Sequence, residues 1–495
     1  MNNRQSLIPN PTKTLRWVGL LVMTMLLVVA LRLPASADTA RHYTELKFPP
    51  LPEIQLPEYQ RYELDNGMVV YLMEDHELPL VSGTAMIKTG DRLEPLEKVG
   101  LAALVGEVMR TGGTTKHSGD ELNQLLEQRA ALVETGIGNA SGSASFSALS
   151  EDLGQVFDLF AEVIQEPAFT QEKLDLAKKQ QAGQIARRND DPGDIASREF
   201  TKLIYGESSP YARTIEYTTL DNISRPDLLA FYEQYFHPEN MILGIVGDFD
   251  SAKMRQLIEE KFGDWQPAPQ PIPQTVPGAS QAKRGGVFLV DQPQLTQSNI
   301  LLGHLGGQFN NPDYPALGVL NEVLNGFGGR LFNEVRSRKG LAYSVYGFWS
   351  PRHDYPGMFI AGGQTRSDAT VPFIQAVLAE IEKIRTTPIT PEELTQAKEG
   401  VVNSFVFNFE DPSQTLSRLM RYEYYGYPAD FIFKYLQGVK QTTIEDVERV
   451  AQKYLKPEDI VTLVVGNTQE IQPPLSMLST NVTSIDVSIP ESTRS

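Results

Sequence analysis

Cysteine is absent from the 495 residues of this chain. Its absence excludes disulfides, and it also excludes lipid attachment through a cysteine at the start of a processed chain. An exported protein of this composition would be indifferent to the redox state of its compartment.

Histidine is scarce. The chain has only six, which are His42, His76, His117, His237, His304 and His353. No two of them lie within one helical turn, so no helix offers the pair of imidazoles that holds zinc in a helical peptidase motif. The sequence therefore predicts no metal site in this chain.

Positive charge is in deficit. There are 44 lysines and arginines against 62 aspartates and glutamates, which gives a net charge of −18. This acidity argues against nucleic acid or anionic lipid as a partner. It is compatible with basic peptides as ligands, and equally with a simply solvated acidic surface.

One apolar run stands out, from Val18 to Leu31. Basic residues precede it and Ala35-Ser36-Ala37 follows it, which is the pattern of an export signal with its cleavage site. We therefore predict an export signal at residues 1–37 and a mature protein in a periplasm or an equivalent lumen, with no membrane attachment after cleavage. Cleavage would remove four basic residues and no acidic one, leaving a net charge of −22. An uncleaved membrane anchor is the alternative.

The chain contains an internal repeat. A proline-rich lead at residues 38–57 precedes the first predicted hairpin, and a proline-rich linker occupies residues 266–280. Residues before the linker recur beyond it at a step of 220, namely Thr170, Glu172, Leu174, Ala177, Lys178, Asp191 and Pro192. Others recur at a step of 219, namely Tyr235, Pro238, Glu239, Val246 and Gly247. The sequence thus predicts two copies of one domain, at residues 58–265 and 281–478.

Each copy mixes helical periodicity with short, hairpin-linked strands. This mixture predicts an α+β fold, in which helices cover one mainly antiparallel sheet per copy. The tail at residues 479–495 is rich in serine and threonine and has no helical period, so we expect it to be disordered.

The stretch GLAALVGEVMRTGGT, from Gly100 to Thr114, is predicted to be a helix. Its apolar residues recur at three- and four-residue steps, and Gly112-Gly113 ends it. Together with the second-copy segment GFGGRLFNEVRSRKGLAYSVYG, this helix resembles the pitrilysin/insulinase family of zinc peptidases, which includes mitochondrial processing peptidase. The resemblance covers about residues 58–470 and implies two LuxS/MPP-like metallohydrolase domains.

Active members of that family carry H-x-x-E-H on the first helix and a further glutamate ligand on a distant one. The resemblance places Ala103 and Glu107 at the histidine positions and Gly106 at the position of the general base. The distant glutamate falls at Gly183 or Gln184. The zinc site has therefore lost its side chains, and no cofactor is expected in this chain.

The second copy keeps groups that the first has lost. Family members place an arginine and a tyrosine seven residues apart there, and the pair binds the substrate backbone and the oxyanion. Arg336 and Tyr343 stand at these positions. The alternative is that the arginine anchors its loop and the tyrosine packs. Glu107 also has a repeat mate, Glu322, which is best explained as a shared helix surface.

The resemblance implies an inactive-site subunit that binds unfolded peptides. Its expected partner is a zinc-bearing homologue, or a second copy of itself, and Arg336 and Tyr343 would complete the partner's site. The alternative is a stand-alone peptide-binding or scaffold protein. An autonomous zinc peptidase is disfavoured by the missing histidines.

Overall fold

The computed structural model describes Ile54 and residues 56–273, 275–326 and 328–490. The predicted export signal and nearly all of the proline-rich lead lie outside the described residues. The described residues from Leu56 onward form one compact unit. Within the described part, no helix has the length and apolar character needed to cross a membrane.

The N-terminal half is built on a six-stranded sheet. Its strands are β1 (Gln60–Glu63), β2 (Val69–Glu74), β3 (Leu80–Ile87), β4 (Leu132–Ile137), β5 (Gly142–Leu149) and β6 (Met241–Gly247). Its helices are α1 (Leu101–Thr111), α2 (Gly119–Glu127), α3 (Leu153–Gln165), α4 (Gln171–Arg187), α5 (Pro192–Tyr205), α6 (Tyr217–Asp221), α7 (Arg225–Tyr235) and α8 (Ser251–Phe262). The strand order is β1-β2-β6-β3-β5-β4, in which only β2 and β6 pair in parallel.

The C-terminal half has a second six-stranded sheet. Its strands are β7 (Val287–Asp291), β8 (Gln297–Leu305), β9 (Ser344–Ser350), β10 (Met358–Arg366), β11 (Val461–Gly466) and β12 (Val482–Ser484). Its helices are α9 (Tyr314–Asn325), α10 (Thr370–Thr386), α11 (Pro391–Ser404), α12 (Pro412–Tyr425), α13 (Phe431–Gln441) and α14 (Ile444–Tyr454). The strand order is β12-β7-β11-β8-β10-β9.

The two sheets repeat one topology. The order β2-β6-β3-β5-β4 in the first corresponds to β7-β11-β8-β10-β9 in the second. The first two strands of each series pair in parallel, β2 with β6 and β7 with β11. The predicted duplication and the α+β fold class are confirmed. The predicted linker, residues 266–280, contains no helix or strand among its described residues.

Each half contributes one helix that packs on the sheet of the other half, and we call these two the exchanged helices. Helix α5 of the N-terminal half buries Ile195, Phe200 and Ile204 against the second sheet, where they meet Val461 and Val465 of β11. Both faces of that sheet are therefore covered, one by helices of its own half and one by α5.

The reciprocal helix is α12 of the C-terminal half. It buries Leu416, Leu419 and Met420 against Tyr71 and Ile242 of the first sheet. Both exchanged helices begin with proline after an aspartate cap: Asp191 accepts from the backbone N–H of Gly193 and Asp411 from that of Ser413. The repeated Asp-Pro pairs thus mark the two helix starts at which the chain crosses to the other half.

The tail differs from its predicted disorder. Residues Val482–Ser484 form β12, which pairs in parallel with β7, and the N–H of Ile485 donates to the carbonyl of Leu289 at 2.8 Å. The alternating apolar residues Ile485, Val487 and Ile489 then pack against buried clusters of the two halves. The serine- and threonine-rich composition led to the prediction of disorder. The apolar residues nevertheless recur at every second position, which is the period of a strand.

The helix exchange predicts that the halves unfold together. Phe200→Ala on α5 should lower the free energy of unfolding by about 3–5 kcal/mol, and Leu416→Ala on α12 by about 2–5 kcal/mol, because each leaves a cavity under a sheet of the other half. Urea denaturation followed by circular dichroism should show one transition for each variant. Leu176→Ala on α4, where the side chain is 48% exposed, is the control and should change stability by less than about 0.5 kcal/mol. Two separate transitions in either core variant would contradict the prediction.

Candidate functional site

Helix α1 carries the positions at which the family would bind zinc. It starts at Gly100, whose φ of +106° suits glycine. Glu94, which is buried, accepts from the backbone N–H groups of Gly100 at 3.0 Å and Ala102 at 2.9 Å. Burial outweighs these bonds and raises the pKa of Glu94 to about 7. Sequence reasoning missed this carboxyl group, which precedes the helix and fixes its first turn.

Gly106 occupies the general-base position and is closed off by strand β4. A Cβ atom on Gly106 would lie 2.6 Å from the backbone nitrogen of Ile137 and 2.8 Å from the Cα of Gly136. The Thr135 hydroxyl also donates to the Gly106 carbonyl at 2.5 Å. The contact between helix and strand therefore leaves no room for a glutamate side chain.

The remaining positions fit zinc no better. Ala103 is partly buried and has no ligand atom, and the half-buried Glu107 has a pKa raised by burial and a hydrogen bond from the side chain of Gln181 on α4. Gln184 is exposed, and nothing lies within 4 Å of the Cβ position at Gly183.

Gln181 is thus the α4 residue that faces Glu107. Its place could have been found from the sequence, because Leu174, Ala177 and Gln181 follow one another at the three- and four-residue spacings of a single helical face.

No replacement metal site exists in the described part of the chain. No three side chains of histidine, aspartate or glutamate are grouped there so that they could hold a metal ion. The residues present on α1 and α4 do not fit the zinc of the active family members.

Arg336 and Tyr343 are brought together by the structure. Arg336 lies in the π-helical turn Phe332–Arg338, and its guanidinium carbon is 4.9 Å from the centre of the Tyr343 ring and 4.8 Å from that of Phe332. The turn is closed by the N–H of Leu341, which donates to the carbonyl of Val335 at 3.0 Å. Tyr343 is 84% exposed and directly precedes β9.

Two cation–π contacts therefore hold a positive charge beside an exposed phenol. This arrangement can offer a guanidinium and a hydroxyl donor together to the carbonyl groups of a bound chain.

Comparison with known proteins gives two matching family models. The model described as insulinase (peptidase family M16) matches residues 69–218, and the one described as peptidase M16 inactive domain matches residues 222–401. A Bacillus subtilis protein named uncharacterized zinc protease YmxG is 25% identical over 363 residues, which are 72% of this chain and 86% of that protein. The Helicobacter pylori protein named non-peptidase homolog YmxG is 23% identical over 460 residues, which are 91% of this chain and 99% of that protein.

Solved structures share the fold. The crystal structure of a peptidase M16 inactive domain from Pseudomonas fluorescens superposes with a TM-score of 0.74 at 24% identity, covering 83% of this chain and 98% of that one. A protease from Helicobacter pylori superposes with a TM-score of 0.72 at 21% identity, covering 83% of this chain and 100% of that one.

The contact between α1 and β4 predicts opposite effects of alanine at two helical glycines. Gly106→Ala should lower the free energy of unfolding by about 1–3 kcal/mol, because its methyl group would press into the β4 backbone. Gly183→Ala, with open space around its Cβ position, should raise stability by up to about 1 kcal/mol through the higher helix propensity of alanine. Chemical denaturation of both variants measures the difference. Equal effects at the two glycines would show that β4 does not restrict position 106.

Proposed function

Since this chain belongs to the insulinase (M16) peptidase family and is an inactive homologue within it, we propose that it acts as the substrate-binding subunit of a two-chain zinc peptidase. Its partner in this proposal is a homologous subunit that carries the zinc and the general base. Unfolded peptides are the substrate class. The work is done after export, in a periplasm or an equivalent lumen.

The pair of Arg336 and Tyr343 carries this proposal. A tyrosine that is 84% exposed gains little from burial, so packing does not account for its position beside the arginine. The guanidinium can bind a backbone carbonyl of the substrate. The phenol hydroxyl can donate a hydrogen bond to the oxygen that becomes negative when a peptide carbonyl is attacked.

The packing of α1 supports the assignment of zinc binding to the partner subunit. The backbone of β4 lies against Gly106, and Glu107 is bonded to Gln181, so helix α1 offers neither the space nor the ligands that the zinc of active family members needs. Groups that bind substrate and stabilise an oxyanion need no metal in the chain that supplies them. A dimer of two copies of this chain would contain no complete site, and the zinc-bearing partner is therefore essential to the activity proposed.

The first prediction from this proposal concerns metal content. The purified chain, expressed alone, should contain less than stoichiometric zinc when analysed by inductively coupled plasma mass spectrometry after dialysis. The physical reason is that Ala103, Gly106 and Gln184 have no ligand that binds zinc tightly. One zinc ion retained per chain would overturn the assignment of this chain as the subunit without metal.

The second prediction concerns catalysis by the pair. In a mixture with a homologue that has an intact H-x-x-E-H helix, Tyr343→Phe should reduce kcat for an unfolded peptide by about a hundredfold, which is typical for the loss of one oxyanion donor. Arg336→Gln should raise KM and lower kcat. Arg338→Gln is the matched control, because this exposed arginine is two residues away and pairs with Glu334 at 3.0 Å.

Two results would count against the proposal. If the mixture cleaves the peptide and Tyr343→Phe leaves the rate unchanged, the pair does not complete the partner's site. If the two chains form no complex and the peptide binds to this chain alone, the alternative function as a stand-alone peptide-binding protein is favoured.

A further inference from the structure

A cavity of about 820 Å³ lies between the two halves of the compact unit. Residues of α9, the end of β9 and the loop that follows β9 form most of its lining, and the loop at Asn139–Ser141 between β4 and β5 reaches it from the N-terminal half. Its volume is in the range of sites that enclose organic ligands. Arg336 and Tyr343 are not among the lining residues, so this cavity is separate from the pair discussed above.

The cavity occupies the counterpart of the degenerate zinc helix. Gly318, Asn321 and Glu322 of α9 line it, and they follow Ala103, Gly106 and Glu107 at a constant step of 215 residues. In the N-terminal half this helix face is closed by β4.

In the C-terminal half the same face is held open. Asn321 spaces α9 from β9 by accepting from the N–H of Trp349 at 2.8 Å and donating to its carbonyl at 3.0 Å.

Polar atoms without partners gather in the cavity wall. Trp349 is 1% exposed, and its indole N–H has no acceptor among the described residues. Nδ1 of His353 and Oδ1 of Asp354 are likewise buried without a partner there. Each such atom destabilises the fold, and its burial also keeps it out of contact with a ligand in the open space of the cavity.

The surroundings of these atoms are rigid and aromatic. The His353 ring stacks on Phe309 and on Tyr425, each at 4.5 Å between ring centres. Burial and the nearby arginines lower the pKa of His353 to about 4, so the imidazole is neutral at physiological pH. The other oxygen of Asp354 pairs with the buried Arg92 at 2.7 Å, which cancels the charge of that carboxylate.

Two arginines give the cavity an unbalanced positive charge. Arg352 and Arg421 both line it and both are exposed. Neither forms an ion pair with a carboxylate of the described residues, although the charges of both lower the pKa of His353. Besides the paired Asp354, Glu322 is the one carboxyl group in the described lining that opposes these two arginines, and burial raises its pKa. A basic cavity in a chain of net charge −18 is a local exception that favours an anionic ligand.

We propose that this cavity binds an extended peptide segment with acidic side chains. The carboxylates pair with Arg352 and Arg421, and an apolar side chain packs against the aromatic wall formed by Phe309, His353 and Tyr425. The proposal needs no partner subunit, because every group that it uses belongs to this chain. It is therefore independent of the catalytic role of Arg336 and Tyr343.

Isothermal titration calorimetry on the full purified chain tests the proposal. The probe is the blocked hexapeptide Ac-Ala-Glu-Phe-Glu-Ala-Ala-NH2, and its matched analogue has glutamine in place of both glutamates. The acidic peptide should bind at least about tenfold more tightly than the analogue, as expected for charge-assisted hydrogen bonds. The double variant Arg352→Gln/Arg421→Gln should remove this difference.

Two further variants sharpen the result. Arg366→Gln is the control, because this arginine is also exposed on the second half and lies outside the cavity. It should leave the affinity unchanged. Trp349→Phe keeps an aromatic ring and removes only a buried N–H, so it is a second control and should leave the affinity for both peptides unchanged.

Equal affinity for the two peptides would overturn the proposal, as would no binding of either. So would an acidic preference that survives the double arginine variant, since the carboxylates would then bind elsewhere. Both arginines are exposed, so their replacement leaves the fold intact, and thermal melting of the variants verifies this.

Discussion

The exchange of helices between the halves is the constraint on which the rest of the structure depends. Without α5, the second sheet would expose Val461 and Val465 to water, and without α12 the first would expose Tyr71 and Ile242. Each half thus supplies the cover that the other lacks, and burial of these apolar faces stabilises both at once. The relative position of the halves is fixed by the same contacts, which gives the cavity between them a defined shape.

Duplication has produced two copies of one helix face with opposite properties. On α1, polar groups are paired: Glu107 bonds to Gln181, and the Gly106 carbonyl accepts from Thr135. On the corresponding face of α9, Asn321 holds β9 away from the helix, and a cavity opens beside it. At Gly106 the helix admits close approach of the strand. On α9, Asn321 bonds to the backbone of Trp349, and Asn325 makes the same two bonds to the backbone of Gly347.

The sequence predicted local features of the fold better than the contacts between residues that are distant along the chain. The repeat, including its two Asp-Pro pairs, followed from local patterns, and the proximity of Arg336 and Tyr343 followed from a short segment of familiar sequence. The apolar face of α5 indicated burial, but an amphipathic pattern does not say which sheet covers it. The stacking of His353 between Phe309 and Tyr425 has no signal in the neighbouring sequence either. Such contacts join residues distant in sequence, and only the folded chain reveals them.

Unsatisfied polar groups indicate where selection has favoured something other than stability. A structural protein would be expected to pair or lose the indole N–H of Trp349 and Nδ1 of His353, since burial without a partner is costly. The former metal helix shows that outcome, because its remaining polar groups have found partners within the chain. At the end of β9, by contrast, the buried polar atoms of Trp349 and His353 still have no partner among the described residues. The two copies of one helix face have therefore diverged in opposite ways, the first closed by β4 and the second beside an open cavity.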